Sequence, residues 1–388
     1  MADYAFQQRT KNSKEKKHWS GCSRTIAILL VLFAHTYWIS DNYPKIIYYA
    51  MRLSGTIGVE VFFIISGFLI GRIVKREILK PDFSFSNIKY FLFRRWFRTF
   101  PNYYFILFVN IAIWYAFYNE LPPKLYKYFI YIQNFSETSL PFYRISWSLA
   151  VEQFSYILGP VLLYVLIRLF PKKNRERFFL YVTLFIIACF TATKVHFYYT
   201  HQLADIYEWN ESIRKVLIYR LDIVYYGFLL RYIYDKRETI LTKYQYPLLM
   251  LGLSIIACLH VFRQLLGITV ADMPFFMIVL YLPFNSLGVA CTMPYLINME
   301  IKSKPLEKFV TTISLISYSL YLLHYTIILH TMKELYPSDE LTGFSLWAYT
   351  FLYWGLTILL SYLLFRFYEK PLTDLRDSPK MKRLLGRD

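Results

Sequence analysis

Stretches of about 20 mostly apolar residues, the length a helix needs to cross a bilayer, recur along this chain between short charge-bearing connections. Lipid offers no partners for backbone N–H and C=O groups, so such stretches must bond within themselves as helices. Read by apolar length, spans fall near 24–40, 57–74, 98–118, 147–170, 177–195, 216–234, 246–262, 274–298, 310–332 and 345–368. The chain is 56% hydrophobic yet carries a formal net charge of +18, a pairing foreign to a soluble domain. The expectation is an all-α integral membrane protein, a bundle of about ten transmembrane helices, with both termini cytoplasmic. Its parts would be an N-terminal arm (1–23), a membrane domain (24–370) and a C-terminal tail (371–388).

Charge placement tests that assignment, because cytoplasmic connections hold the excess of Lys and Arg. The arm with Arg24, and the stretches Arg72 to Arg98, Arg168 to Arg177, Arg231 to Lys243, Lys302 to Lys308 and Arg366 to Arg387, contain 33 of the 44 basic residues. They alternate with the remaining connections as ten spans require. The positive charge therefore matches topology and anionic lipid headgroups, not nucleic acid. The basic arm before the first span is not read as a cleaved signal peptide, since Arg24 and His35 interrupt the apolar run and no small-residue cleavage motif follows. Cys22, Cys189, Cys258 and Cys291 have no ligand spacing, so neither disulfide nor metal is expected.

Ionisable groups inside the hydrocarbon region face a bundle interior and mark function, or else form structural bonds between helices. Here they are His35, Glu60, Glu152, Arg220, Asp222 and His324. Arg24 and His35, 11 residues apart, project from one helix face about 16 Å apart. The second span runs back, which puts Glu60 near the depth of His35, where it would orient the imidazole. Ser148 and Glu152 share a face of the fourth span at i, i+4. The ninth supplies Ser317, Tyr318, Ser319, Tyr321 and His324, and Ser66 adds a hydroxyl in the second. Arg94, Arg95 and Arg98 cluster before the third span, and guanidinium forks suit phosphate. Arg94 and Arg98, one turn apart, are the expected ligand-binding pair, with Arg95 read as topology signalling. Glu369 is placed on the same level. His196, His201, His260 and His330 read as interfacial histidines near helix ends.

These residues together resemble acyltransferase family 3, membrane proteins that include O-antigen and other polysaccharide O-acetyltransferases. R-x10-H stands as Arg24 to His35, the second-span signature as GVEVFFIISGFLI from Gly58 to Ile70, and R-x3-R as Arg94 to Arg98, followed by Pro101. W-S-L-x-x-E runs from Trp147 to Glu152, and R-x-D with a following glycine is Arg220, Asp222 and Gly227. ISYSLYLLH ends at His324, and E-x-P is Glu369 to Pro371. Glu60 is longer than the more usual aspartate. No SGNH-type domain follows the tenth span in this sequence, so transfer would finish in the membrane domain or pass to a partner.

The resemblance implies a multi-pass protein of the bacterial inner membrane that takes an acyl group, acetyl by default, from cytoplasmic acetyl-CoA. The acceptor would be a hydroxyl of an envelope polysaccharide or lipid-linked sugar. His35, held by Glu60, would be the general base, Arg24, Arg94, Arg98 and Glu369 would serve the donor, and Ser66, Ser148, Glu152, Arg220, Asp222, Tyr321 and His324 would form the acceptor pocket or brace helices. No G-x-S-x-G elbow points to a serine nucleophile. The alternative is a proton-coupled secondary transporter using the same groups, but inverted repeats and matching broken spans are not found.

Overall fold

A computed structural model describes residues 21–137, 142–171, 174–379 and 381. The expected N-terminal arm up to residue 20, and residues 380 and 382–388 of the expected tail, lie outside them. Among the described residues the chain is all helical, with no strand. Ten long helices follow the expected order: α1 (Gly21–Thr36), α2 (Lys45–Ile78), α3 (Phe85–Tyr118), α4 (Arg144–Leu169), α5 (Arg175–Thr200), α6 (Asp222–Lys243), α7 (Gln245–Leu265), α8 (Phe276–Asn298), α9 (Lys304–Leu335) and α10 (Gly343–Arg376).

Eight of them are long and apolar enough to cross a membrane; α1 is shorter and α6 is not among the eight. The exception of α6 has a physical reason. Its first half is buried from Asp222 to Phe228, so its polar groups meet protein instead of lipid, and its second half carries Arg231, Asp235, Lys236, Arg237 and Glu238. The sixth span also starts later than apolar length implies: Leu217–Tyr219 forms a tight 3₁₀ turn and the α-helix begins at Asp222.

Several helices outrun the apolar stretches that mark them. With 34 residues, α2 and α3 reach about 51 Å at 1.5 Å per residue, beyond a hydrocarbon core of about 30 Å. α10 passes through Pro371 instead of stopping before it. Proline lacks an N–H and crowds the carbonyl four residues back, and the preceding wide π-turn, Phe365–Glu369, relaxes that spacing.

Burial separates centre from rim. The apolar windows of α2 and α9 are 67% buried and that of α8 is 61%, against 22–28% for α3, α5, α7 and α10. The outer helices carry exposed apolar side chains such as Phe108, Phe185, Met250 and Phe351, as lipid contact demands.

At the centre, α2 and α6 pack backbone to backbone. A Cβ on Gly67 would collide with the Val224 carbonyl, one on Gly227 would collide with the Ile64 carbonyl, and one on Gly71 would lie 3.3 Å from Phe228. Small residues four apart give membrane helices this close approach. The contact is clamped at both ends by ion pairs, Glu60 with Arg220 and Lys75 with Asp235, each joining residues 160 apart in sequence. A constant offset over 15 residues, about 22 Å of helix, means that the two helices run parallel and in register. Lys75 also pairs with Glu176 at 2.7 Å, which ties α5 to the same end.

A second glycine contact seats α1. Gly58 lies 2.9 Å, at its Cβ position, from the Ala27 carbonyl, and Gly55 lies 3.0 Å from Ala34, so α1 descends onto the start of the span in α2.

Gly227→Val should separate α2 from α6 and destabilise the protein by at least about 1–3 kcal/mol, the usual cost of overpacking. Thermal unfolding in detergent checks this, with Gly355→Val as control because nothing lies within 4 Å of its Cβ position.

Candidate active site

The face of α2 opposite α6 lines a cavity. Glu60, Ile64, Gly67 and Gly71 fall at helical spacing toward α6, while Val59, Phe62, Ser66 and Leu69 fall on the other side. The cavity, of about 140 Å³, is also lined by Arg24 from α1, Arg95, Arg98 and Thr99 from α3, Ser148, Glu152 and Tyr156 from α4, and Ser317, Tyr318 and Tyr321 from α9. Its α2 wall is largely apolar.

Three guanidinium groups thus meet in one chamber. Among the described residues none of Arg24, Arg95 and Arg98 is in a salt bridge, although each is half-buried. Among the described residues Glu152 is the one carboxylate on the wall, and its Oε1 accepts a hydrogen bond from Tyr156 at 2.9 Å. Tyr156 also bonds the Ser66 hydroxyl. The chamber is therefore cationic and partly apolar, a combination that fits a ligand with anionic and apolar parts.

The arginine pair differs from the sequence expectation. Arg94 is not on the cavity wall; it donates to Asp377 at 3.0 Å, beside Arg376, and so ties α3 to the end of α10. Arg95 takes the inward position: at about 100° per residue, 94 and 95 lie on opposite sides of 98, and the packing of α3 turns the side of Arg95 to the cavity. Glu369 is buried behind the wall, where its Oε2 accepts from Ser319 at 2.6 Å.

Beyond Tyr321 stand two histidines. Tyr321 bonds Ser148 at 2.5 Å and packs its ring 6.3 Å from Phe62 and 5.7 Å from His324. His35 lies in the last turn of α1, and its Nδ1 is 3.3 Å from Nε2 of His324, the rings edge to face at 4.6 Å. Tyr325 lies 4.9 Å from the His35 ring, with Trp38 behind it. His324 opens a π-turn, His324–Leu329, in α9. Such bulges re-aim one side chain without ending the helix.

The expected contact between Glu60 and His35 is not made. Arg220 holds Glu60 Oε1 at 2.5 Å and Ser286 donates to Oε2 at 3.1 Å, with both charged side chains 1% exposed. Asp222 is likewise taken, by Lys194 at 2.5 Å. Charges this deeply buried persist when paired, and the α2–α6 register brings Glu60 to Arg220 before it can reach α1. Glu60, Arg220, Asp222 and Lys194 thus form a neutral set apart from the cavity. Lys194 escaped the sequence reading, although a lysine inside an apolar span was a visible signal.

His260, expected at an interface, is instead buried, with Asn285 Oδ1 at 3.1 Å and the Tyr281 hydroxyl at 2.9 Å, and its neighbours Leu259 and Tyr281 belong to a second core with Trp209 and Ile213. On the same flank Arg214 stacks over Trp147 at 5.3 Å. Burial lowers the Lys215 ammonium below the usual lysine value, while its partner Glu211 acts in the opposite sense.

A family model described as an acyltransferase domain matches residues 17–366. No curated protein and no solved structure matches the chain.

Removing one member of the Glu60–Arg220 pair strands a buried charge. Arg220→Met should cost about 3–5 kcal/mol, and Glu60→Gln combined with Arg220→Met should recover part of it. Unfolding of the single and double variants in detergent measures this; additive losses would mean that the pair is not coupled.

Proposed function

The chain belongs to acyltransferase family 3 and is a membrane acyltransferase; from that premise we propose that it moves an acetyl group from acetyl-CoA to a hydroxyl of an envelope glycan or lipid-linked sugar. The observation that carries the donor assignment is the cavity with three guanidinium groups that form no salt bridge among the described residues. Phosphates of the donor supply the missing anions, and bidentate Arg–phosphate bonds fix its position. Arg95 joins Arg24 and Arg98 in this role. The apolar wall of α2 receives the chain that leads to the thioester.

The basic residues concentrate in the connections at the Arg24 end of α1, so this end is assigned to the cytoplasm and His35 to the level nearer the outside. The location is the cytoplasmic membrane of a bacterium, with both termini inside. The thioester carbonyl reaches the histidines past Tyr321, whose side chain touches both the chamber and His324.

Chemistry then needs one base. His35 takes the proton of the sugar hydroxyl as that oxygen attacks the thioester carbon. The C–O bond forms, the C–S bond breaks, and the thiolate leaves with the proton that His35 held. General-base catalysis of this kind contributes roughly 10²–10⁴-fold, and holding both substrates in line adds to it. Glu152, Ser148 and Ser66 shape the chamber through the hydroxyl network of Tyr156 and Tyr321.

In proteoliposomes with labelled acetyl-CoA, His35→Ala should lose at least about 10²-fold in transfer while remaining folded. Wild-type transfer by that variant would remove His35 as the base. Arg95→Ala and Arg98→Ala should each raise KM for acetyl-CoA about tenfold, the effect of roughly 1.4 kcal/mol of lost binding, and Arg94→Ala should raise it less. Equal effects at all three positions would argue that topology, not phosphate binding, explains the cluster.

A further inference from the structure

The contacts around the two histidines fix where their protons sit. His324 Nδ1 lies 2.8 Å from the Tyr321 carbonyl and 3.2 Å from that of Leu320. Both oxygens only accept, so Nδ1 carries hydrogen. His35 Nδ1 lies 2.8 Å from the Val31 carbonyl, again an acceptor, so it too carries hydrogen. The facing atoms, His35 Nδ1 and His324 Nε2, are 3.3 Å apart. Two protonated nitrogens would point hydrogen at hydrogen there. His324 Nε2 is therefore the unprotonated partner, and it shares the His35 Nδ1 proton with Val31.

One nitrogen is left. The lone pair of His35 sits on Nε2, on the far side of the ring from His324 and Val31. We infer that His324 is a positioning residue that holds His35 in the Nδ1–H form, so that Nε2 is the nitrogen that receives the acceptor's proton. This deepens the proposed function and rests on His35 being its base.

The arrangement also serves the charged intermediate. When His35 takes the proton of the hydroxyl on Nε2, its Nδ1–H still points at two acceptors, the Val31 carbonyl and His324 Nε2. The imidazolium is thus stabilised by a carbonyl and a neutral imidazole, where a carboxylate commonly stands. A neutral acceptor avoids placing an unpaired anion in the bilayer when His35 is uncharged. Glu60, which has a carboxylate to offer, is already held by Arg220 and Ser286. The π-turn that begins at His324 is the local device that presents this ring.

The test compares three variants with wild type in proteoliposomes. His324→Leu removes the acceptor, His324→Gln keeps a side-chain oxygen, and His35→Ala tests the base itself. We expect His324→Leu to lower kcat about 10–100-fold, the range for a partner that orients a functional imidazole, with KM for acetyl-CoA unchanged. His324→Gln should retain most of kcat. Independently of activity, nitrogen NMR of histidine-labelled protein, assigned through the His35 and His324 variants, should show His35 protonated on Nδ1 and bare on Nε2. Wild-type kcat in His324→Leu, equal losses in the Leu and Gln variants with both folded, or hydrogen on Nε2 of His35 would each overturn the inference. Full transfer by His35→Ala would instead overturn the proposed function. A dead His35→Ala beside a fully active His324→Leu would overturn the positioning role alone.

Discussion

The glycine contact between α2 and α6 is the constraint on which the rest of the bundle depends. Because Gly67 and Gly227 leave no room for a side chain, the two backbones touch, and parallel ion pairs at Glu60–Arg220 and Lys75–Asp235 hold their register. That register settles two things at once. It turns Val59, Phe62, Ser66 and Leu69 away from α6 and into the chamber, and it commits Glu60 to Arg220. A one-residue rotation of α2, about 100°, would carry Glu60 away from Arg220 and turn the lining side chains out of the chamber.

Charge has two distinct uses in this molecule. Glu60 with Arg220, and Asp222 with Lys194, are neutral in sum, almost inaccessible and apart from the chamber, so they fasten α2, α5 and α6 to one another. Among the described residues Arg24, Arg95 and Arg98 have no carboxylate in a salt bridge, and they line the chamber. Desolvation makes the difference meaningful: a buried pair neutralises its own cost, whereas unpaired cations around a cavity are satisfied only when an anion arrives. The histidines show the same division, with His324 beside His35 while the Glu60 carboxylate is engaged by Arg220 and Ser286.

Wide π-turns mark two of the positions that matter. His324 opens one in α9 and Glu369 closes one in α10. In the first, the turn presents a ring to α1; in the second, it lets the helix continue through Pro371 so that Asp377 reaches Arg94. Neither turn has a pattern in the amino-acid order, since each depends on what the neighbouring helix offers.

The sequence by itself determined the class of fold, the order and approximate place of the helices, and the depth of the polar residues. Apolar length and helical rise are local quantities, so Arg24 and His35 could be set two levels apart on one face of α1 without any knowledge of their neighbours. Ser66, Ser148, Glu152 and Tyr321 were legible for the same reason, as polar groups in apolar runs. Rotation about each helix axis, and hence partnership, was decided only by the tertiary structure. Depth alone put Glu60 level with His35, but the glycine contact turned it to Arg220. The R-x3-R spacing pointed to Arg94, but packing of α3 turned Arg95 inward and gave Arg94 to Asp377. Packing between helices far apart in sequence, Gly67 on Gly227 and His35 on His324, chose which of several equally placed polar groups would meet.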